Sequence, residues 1–112
     1  MDRTDVVRAM FRSYQQQDRA AAEQLIADPF VFTSPQDDHI DRAVWFARCF
    51  PTASRMRRQD LLHVTPTDGD DVFCLYEYEL LTGDVHRNAE VLTVRDGQVV
   101  EVQVFFGGRV HT

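Results

Sequence analysis

Three polar residues that could carry out chemistry alternate along one segment, HRNAEVLTVRDG, residues 86–97. If this segment is a strand, His86, Asn88 and Glu90 point to the same side, because successive side chains of a strand alternate between its faces. A carboxyl group shielded from water can transfer protons near neutral pH, and an amide can polarise an oxygen. The segment therefore suggests acid/base chemistry, with Glu90 as proton carrier, Asn88 beside it and His86 as a possible proton partner.

A purely structural explanation of the same residues stays open. Asn88 and Glu90 could hydrogen-bond to each other, to Tyr78 or to a helix end, which would satisfy buried polar groups without any ligand. His86 could equally lie in water at the edge of a sheet. The other side of the segment does not decide the orientation, because it is only half polar: Arg87, Ala89, Val91, Thr93 and Arg95.

The composition is that of an ordinary globular domain. The chain has 112 residues, 44% hydrophobic and 27% charged, which predicts one domain over residues 1–112. The net charge of −6 argues against nucleic acid or an anionic membrane as a partner. No apolar stretch reaches the ~20 residues of a membrane span, and the first residues lack the apolar segment of a signal peptide, so we expect a cytoplasmic protein.

Residue types exclude several kinds of reactive site. All 12 basic residues are arginines, which removes lysine nucleophiles, Schiff bases and P-loops. Cys49 and Cys74 form no CxxC motif and are expected to be buried free thiols. The histidines show no metal-binding spacing, so we expect neither a metal nor a cofactor. We expect His39 and His111 to lie in solvent.

The first half of the chain predicts three helices around one short strand. A helical period of apolar residues and the positions of proline place these helices over about residues 3–17, 19–27 and 36–51. Asp18 would cap the second helix, and the pair Asp28-Pro29 would end it before the strand PFVFTSP. Asp38 and Asp41 are expected to cap the third helix rather than to act as acids at a pocket rim.

The second half predicts an antiparallel meander. Gly69, Gly83 and Gly97 each lie in a turn signature, and they separate four segments rich in β-branched and aromatic residues: MRRQDLLHVTP, VFCLYEYELL, VHRNAEVLTV and VVEVQVFF. Short turns between long strands favour neighbouring antiparallel pairs. Helices followed by strands predict an α+β domain, with the helices on one face of a bent sheet.

This order of elements resembles the SnoaL-like branch of the NTF2-like superfamily. Three segments carry the resemblance: ADPFVFTSP, DDHIDRAVWFARCFP and RNAEVLTVRDGQVVEVQVFFGG. The resemblance implies an NTF2-like cone, in which three N-terminal helices pack on the concave face of a strongly curved, mostly antiparallel sheet. It also implies a deep pocket and a homodimer. It does not fix the activity, because one fold hosts many functions.

The ketosteroid isomerases, relatives within this superfamily, use an Asp base and an oxyanion hole of Tyr and protonated Asp. By this resemblance the base would fall at Ser34, and the tyrosine at Met10, with Tyr14 one turn later. The protonated carboxyl would fall at Glu90. Only a carboxylic acid is retained, which argues against classical ketosteroid isomerisation.

The resemblance also orients the two faces of the sheet. His86, Asn88, Glu90 and Leu92 would face the pocket, and the half-apolar outer face would be covered by a second copy of the chain. A three-residue turn at Gly83 would place Glu79 opposite Arg87 outside. The inner pairs would then be Tyr78 with Asn88 and Tyr76 with Glu90. A two-residue turn would instead bring three carboxylates together inside, which is unfavourable.

The predicted pocket combines an apolar lining with a few polar groups, as a site for a small hydrophobic molecule requires. Its apolar residues would be Phe11, Tyr14, Phe30, Phe32, Trp45, Leu92, Val102, Val104 and Phe106. Its polar residues would be Ser34, Tyr76, Tyr78, His86, Asn88 and Glu90. The leading hypothesis is isomerase-, cyclase- or dehydratase-like chemistry on a small carbonyl compound. The alternatives are a binding module without turnover and a dimeric scaffold with a filled core.

Overall fold

The computed structural model describes residues 1–110, and these form an α+β domain. The helices are α1 (Arg3–Gln16), α2 (Arg19–Leu25) and α3 (Arg42–Arg48), and a short 3-10 helix follows at Phe50–Arg55. The strands are β1 (Ile26–Ser34), β2 (Asp37–Asp41), β3 (Met56–Pro66), β4 (Asp71–Leu80), β5 (Val85–Arg95) and β6 (Gln98–Arg109). The prediction for His111 lies outside the described residues, whereas the side chain of His39 is exposed as predicted.

The strands within residues 1–110 form one open, curved sheet in the order β2-β1-β6-β5-β4-β3. Strands β3 to β6 are the predicted antiparallel meander, and β1 joins the sheet through a parallel pairing with β6. The three helices pack on the concave face of the sheet, which confirms the predicted NTF2-like architecture. None of the helices in the described residues has both the length and the apolar character to cross a bilayer. The cytoplasmic location stays a prediction.

Helix α1 begins where its sequence provides a cap and packs through its apolar stripe. The Asp2 carboxylate accepts a hydrogen bond from the Asp5 backbone N–H at 2.9 Å. In return, the Asp5 carboxylate accepts a hydrogen bond from the Asp2 backbone N–H at 3.2 Å. The buried stripe of α1 meets the concave face of the sheet, and this contact forms one part of the core: Val6, Val7, Met10, Phe11, Val72, Leu92, Val94, Val99 and Val102. The core therefore lies on the same concave face of the sheet as the predicted pocket.

The boundary between α2 and β1 differs from the prediction. Asp18 does cap α2, but this helix ends at Leu25 and the strand starts at Ile26, before the pair Asp28-Pro29. Ile26 pairs with Val99 of β6, so sheet pairing outweighs one more half-turn of helix. The register of this pairing shifts after Ile26, and the irregularity accommodates a proline inside a strand.

The N-terminal part of the predicted third helix is a strand. Residues 37–41 form β2, which pairs antiparallel with β1 after a tight turn. Asp41 is the true N-cap of α3, since its carboxylate accepts from the Val44 N–H at 2.9 Å. Asp38 caps nothing and lies exposed in β2. The Ser34-Pro35 turn reverses the chain here, so residues 37–40 complete a hairpin instead of a helix.

The β4–β5 hairpin has the predicted faces but a register shifted by two residues. Glu79 lies opposite Val85, and Glu77 rather than Glu79 lies opposite Arg87. The predicted outer ion pair forms with Glu77, whose Oε1 is 3.0 Å from Arg87 Nε. The shift arises because the loop is longer than predicted: the Leu80 N–H donates to the Asp84 carbonyl at 2.9 Å. The inner pairs are consequently Tyr76 with Asn88 and Cys74 with Glu90.

Candidate functional site

A cavity of about 450 Å³ lies between the concave face of the sheet and the segment formed by α1, α3 and the 3-10 helix. This volume is within the range of small-molecule sites. The predicted lining residues that do line it are Phe11, Tyr14, Phe32, Ser34, Trp45, Tyr76, Tyr78, Asn88, Glu90, Val102, Val104 and Phe106. The described side chains therefore leave this space open, unlike in the predicted alternative of a filled core, and whether the chain is a dimer stays a prediction.

Three predicted pocket residues lie elsewhere. Phe30 and Leu92 are fully buried in the core behind the cavity. His86 is half-buried on the correct face of β5, but it is not part of the cavity lining. Its ring stacks on the Tyr78 ring at 5.4 Å between centroids with an interplanar angle of 13°. The predicted role of His86 as a proton partner stays untested, and its position offers only indirect contact with the cavity through Tyr78.

Glu90 is the buried carboxyl of the cavity. It lies on β5 between Cys74 of β4 and Val104 of β6, and 8% of the residue is exposed. In residues 1–110 no arginine or histidine forms an ion pair with it. Burial without a cation raises the pKa of Glu90 to about 7, and hydrogen bonding from Tyr76 offsets part of that rise. This carboxyl is therefore present in both protonation states near neutral pH.

Asn88 and Tyr76 form a polar pair next to Glu90. The Asn88 Nδ2 donates a hydrogen bond to the Tyr76 hydroxyl oxygen at 3.2 Å. Burial, together with the Glu90 carboxyl, raises the pKa of Tyr76 far above its ordinary value, so this hydroxyl stays protonated and can donate. The Asn88 Oδ1 atom is buried and has no hydrogen-bond partner in the described residues. A buried acceptor without a partner is unfavourable, and a ligand donor would satisfy it.

Tyr14 is already engaged on the helical side of the cavity. Its hydroxyl lies 2.6 Å from the Thr52 Oγ1, and the Thr52 hydroxyl donates to the Cys49 carbonyl at 2.7 Å. Tyr14 is therefore the donor in its contact with Thr52. Burial raises the pKa of Tyr14 to about 12. This tyrosine shapes the cavity wall, but its proton is committed to another side chain.

The sequence did not predict a second carboxylate, Asp37, that lines the cavity. Its Oδ2 accepts from the Ser34 hydroxyl at 3.1 Å, and its Oδ1 lies 2.8 Å from Arg48 Nη2. The Asp37 side chain is 11% exposed and the Arg48 side chain 59% exposed, so the pair runs from the wall to the opening. The Ser-Pro-Gln-Asp turn was the available sequence signal, because such a turn folds Asp37 back beside Ser34.

The sequence also did not predict several other lining residues, which lie on α1, in the turn after β1, after α3 and at the start of β3. They are Met10, Gln36, Cys49, Thr52, Arg55, Met56 and Gln59. Cys49 and Cys74 are free thiols as predicted, although Cys49 is only half-buried. Burial raises the pKa of Cys49 to about 11 and that of Cys74 to about 12, so neither is a thiolate nucleophile at neutral pH.

Metal binding has no clear site in this part of the chain. Within residues 1–110 no three His, Cys, Asp or Glu side chains lie close enough to hold one ion together. We therefore assign no metal ligands, and the expectation that the protein needs no cofactor stays a prediction.

Comparison with solved structures defines the class of fold. An NTF2-like protein of unknown function from Cytophaga hutchinsonii matches with a TM-score of 0.72 at 17% identity, over 95% of this chain and 90% of that one. IdmH of Streptomyces antibioticus, a candidate polyketide cyclase, matches with a TM-score of 0.74 at 20% identity, over 93% of this chain and 91% of that one. A candidate ketosteroid isomerase from Kribbella flavida matches with a TM-score of 0.77 at 17% identity, over 98% and 82%.

The chain therefore has the NTF2-like fold. No protein-family model matches its sequence, and no curated protein matches it either. Identities of this size establish the architecture alone, so the activity has to be argued from the cavity.

Proposed function

We propose that this chain is a SnoaL-like protein that binds a small hydrophobic carbonyl compound and moves a proton on it, as an isomerase, cyclase or dehydratase does. One observation carries the proposal: Glu90 is buried in a ligand-sized cavity and forms no ion pair with any residue of 1–110. A purely structural carboxylate in such a place would be expected to have a charged partner. The Asn88 Oδ1 atom beside it has no hydrogen-bond partner in the described residues, which supports the same conclusion.

Glu90 can supply both halves of a proton transfer. Its ionised form takes a proton from the carbon next to the carbonyl, and the electrons of that C–H bond move to form an enolate. Its protonated form then returns a proton to carbon, either at the same or at a conjugated position. A carboxyl whose pKa is near the working pH is effective in both directions.

The polar residues next to Glu90 would stabilise the enolate oxygen. Asn88 uses one N–H of its Nδ2 for Tyr76, which leaves a second N–H for the ligand. Tyr78 lines the cavity, and burial raises its pKa, so its hydroxyl is also a donor. Donors placed where negative charge develops lower the barrier most in a site that excludes water. His86 would orient the Tyr78 ring by stacking on it.

Binding without turnover is the second candidate function, and one observation favours it. Two of the three parts of a ketosteroid isomerase site have no working equivalent: Ser34 is no base, and the Tyr14 proton is committed to Thr52. The apolar wall of Phe32, Trp45 and Val104 would hold a ligand even without chemistry. The two functions differ in whether Glu90 exchanges protons with a bound ketone.

Deuterium exchange on a simple ketone tests the proposal. In D2O, the methyl protons of 2-acetonaphthone should exchange faster with the protein than in buffer, as measured by NMR. Glu90→Gln should remove this acceleration, whereas Glu101→Gln, a carboxyl outside this cavity, should keep it. Binding of the ketone with no acceleration would support the binding module, and acceleration that survives Glu90→Gln would contradict the assigned site.

We also propose that a second copy of the chain covers the outer face of the sheet. Phe73 and Phe105 are 52% and 55% exposed there, and Val91 and Ala89 lie between them in the β4–β5–β6 register. The Arg87–Glu77 pair borders this apolar area with charges of both signs, which suits pairing of a face with its own copy. An exposed apolar area of this kind is typical of interfaces.

A further inference from the structure

Two arginines lie at the opening of the cavity, on the segment that closes its helical side. Arg48 is the last residue of α3, and Arg55 is the last residue of the 3-10 helix. Both side chains line the cavity, and both residues are exposed. Gln36 and Gln59 line the same cavity and add hydrogen-bonding groups.

The charges around the cavity do not cancel. Asp37 neutralises Arg48 at 2.8 Å, and the other lining carboxyl, Glu90, lies in a buried environment that favours its uncharged form. The Arg55 side chain forms no ion pair within residues 1–110. When Glu90 is protonated, the cavity therefore carries one unbalanced positive charge, although the whole chain has a net charge of −6.

The Arg55 charge favours anion binding because of where it lies, at the opening of a concave cavity. An isolated arginine on a convex surface is usually just solvated. In a concave site with apolar walls, the field of a cation is less screened and concentrates anions of matching size. The ion pair with Asp37 keeps the Arg48 guanidinium near the opening, and a guanidinium has five N–H donors, more than this one contact uses.

We infer that the ligand of this cavity carries an anionic group, of the carboxylate type, in addition to its apolar body. Arg55 binds this group at the opening, and Arg48 lies at the same opening as a second donor. The apolar body lies against Phe32, Trp45 and Val104, toward Glu90. The inference rests on the proposed function, because it assigns the substrate class of the same cavity.

Two matched probes test this inference by isothermal titration calorimetry. 2-Naphthoate and 2-acetonaphthone share their aromatic body and differ in charge. The wild-type protein should bind 2-naphthoate more tightly. Arg55→Gln should weaken 2-naphthoate binding by about fivefold and change 2-acetonaphthone binding by less than about twofold, as expected for losing one charge-assisted contact at a partly solvated site. Arg55→Lys should keep most of the affinity.

Arg12→Gln is the control, because Arg12 is an exposed arginine of α1 outside this cavity. It removes the same charge and should leave both affinities unchanged. Equal binding of the two probes, or an equal effect of Arg55→Gln on both, would overturn the inference and leave the proposed proton transfer intact. Failure of both probes to bind would instead overturn the cavity assignment itself, and the inference with it.

Discussion

Glu90 should make the stability of the protein depend on pH with an unusual sign. Its pKa in the folded state is about 7 against an ordinary value of 4.5. Between these values the folded chain holds a proton that the unfolded chain has lost, so stability falls as the pH rises through this window. Below about pH 4.5 the stabilisation that protonated Glu90 gives to the folded state is fully present, and above about pH 7 it is lost.

Replacing this carboxyl by an amide should therefore stabilise the protein at alkaline pH. At pH 8 the free energy of unfolding of Glu90→Gln should exceed that of the wild type by up to about 3 kcal/mol, since one pKa unit corresponds to about 1.4 kcal/mol. Near pH 5 most of this advantage should be absent. Urea unfolding at the two pH values measures it, with Glu101→Gln, a carboxyl outside this cavity, as the comparison variant.

The Tyr76 hydroxyl should tune the same carboxyl. Its hydrogen bond lowers the pKa of Glu90, so Tyr76→Phe should raise that pKa further. The Glu90 side-chain carboxyl signal in a 13C-labelled sample gives the titration directly. Tyr78→Phe is the matched variant on the same strand, because no contact with Tyr78 is among the causes of the Glu90 shift. If the pKa of Glu90 fell in Tyr76→Phe, or rose no more than in Tyr78→Phe, the hydrogen bond from Tyr76 to Glu90 would be contradicted.

Residue alternation identified part of the site, and tertiary folding determined the rest. Asn88 and Glu90 share a face through the two-residue period of a strand, and the family resemblance told which face is inner. Asp37 and Arg48 meet only because a turn after Ser34 folds β2 back before α3 starts. No local period brings together an aspartate of a strand and an arginine at the end of the next helix.

At the scale of elements, Gly107 holds β6 against β5 next to the site. A Cβ at this position would lie 2.5 Å from the Arg87 carbonyl oxygen, which is backbone and cannot swing away. The β5–β6 register shifts between Arg87 and Asn88, beside this contact. Any side chain here would push the two strands apart where Asn88 is positioned.

Gly107→Ala should therefore lower the free energy of unfolding by about 2 kcal/mol or more and weaken ligand binding through Asn88. Gly69→Ala is the control, because a Cβ there meets nothing within 4 Å and the backbone is not left-handed. It should change stability by less than about 0.5 kcal/mol. Chemical denaturation of both variants gives the comparison, and similar values for the two would contradict the proposed close approach.

The elements were predictable to the extent that one local signal governed each. The stripe of α1, the Asp18 cap and the meander strands each depend on such a signal, and the structure confirms them. The start of β1 depends instead on pairing of Ile26 with a strand more than seventy residues later, and the register of the Gly83 hairpin on one hydrogen bond in its loop. Sequence periodicity contains neither piece of information.

At the scale of the whole molecule, the outer face of the sheet should determine the oligomeric state. Phe105→Arg introduces a charge into the centre of the proposed interface and should produce a monomer, because each copy would bring an arginine to the same apolar area. Sedimentation velocity would detect the change in mass. Leu81→Arg is the control, since Leu81 is exposed in the β4–β5 loop, away from this face. A monomeric wild-type protein would contradict the dimer.

Within residues 1–110 the open sheet ends at β3, an eleven-residue strand that pairs with β4 on one side and leaves its other edge free. Long edges of this kind can recruit strands from other molecules and start fibrils. β3 carries Arg57, Arg58 and Asp60, and its pairing with β4 is irregular at two places. Charges and bulges hinder the addition of a further strand, so this border of the sheet is protected against amyloid-like growth by its own sequence.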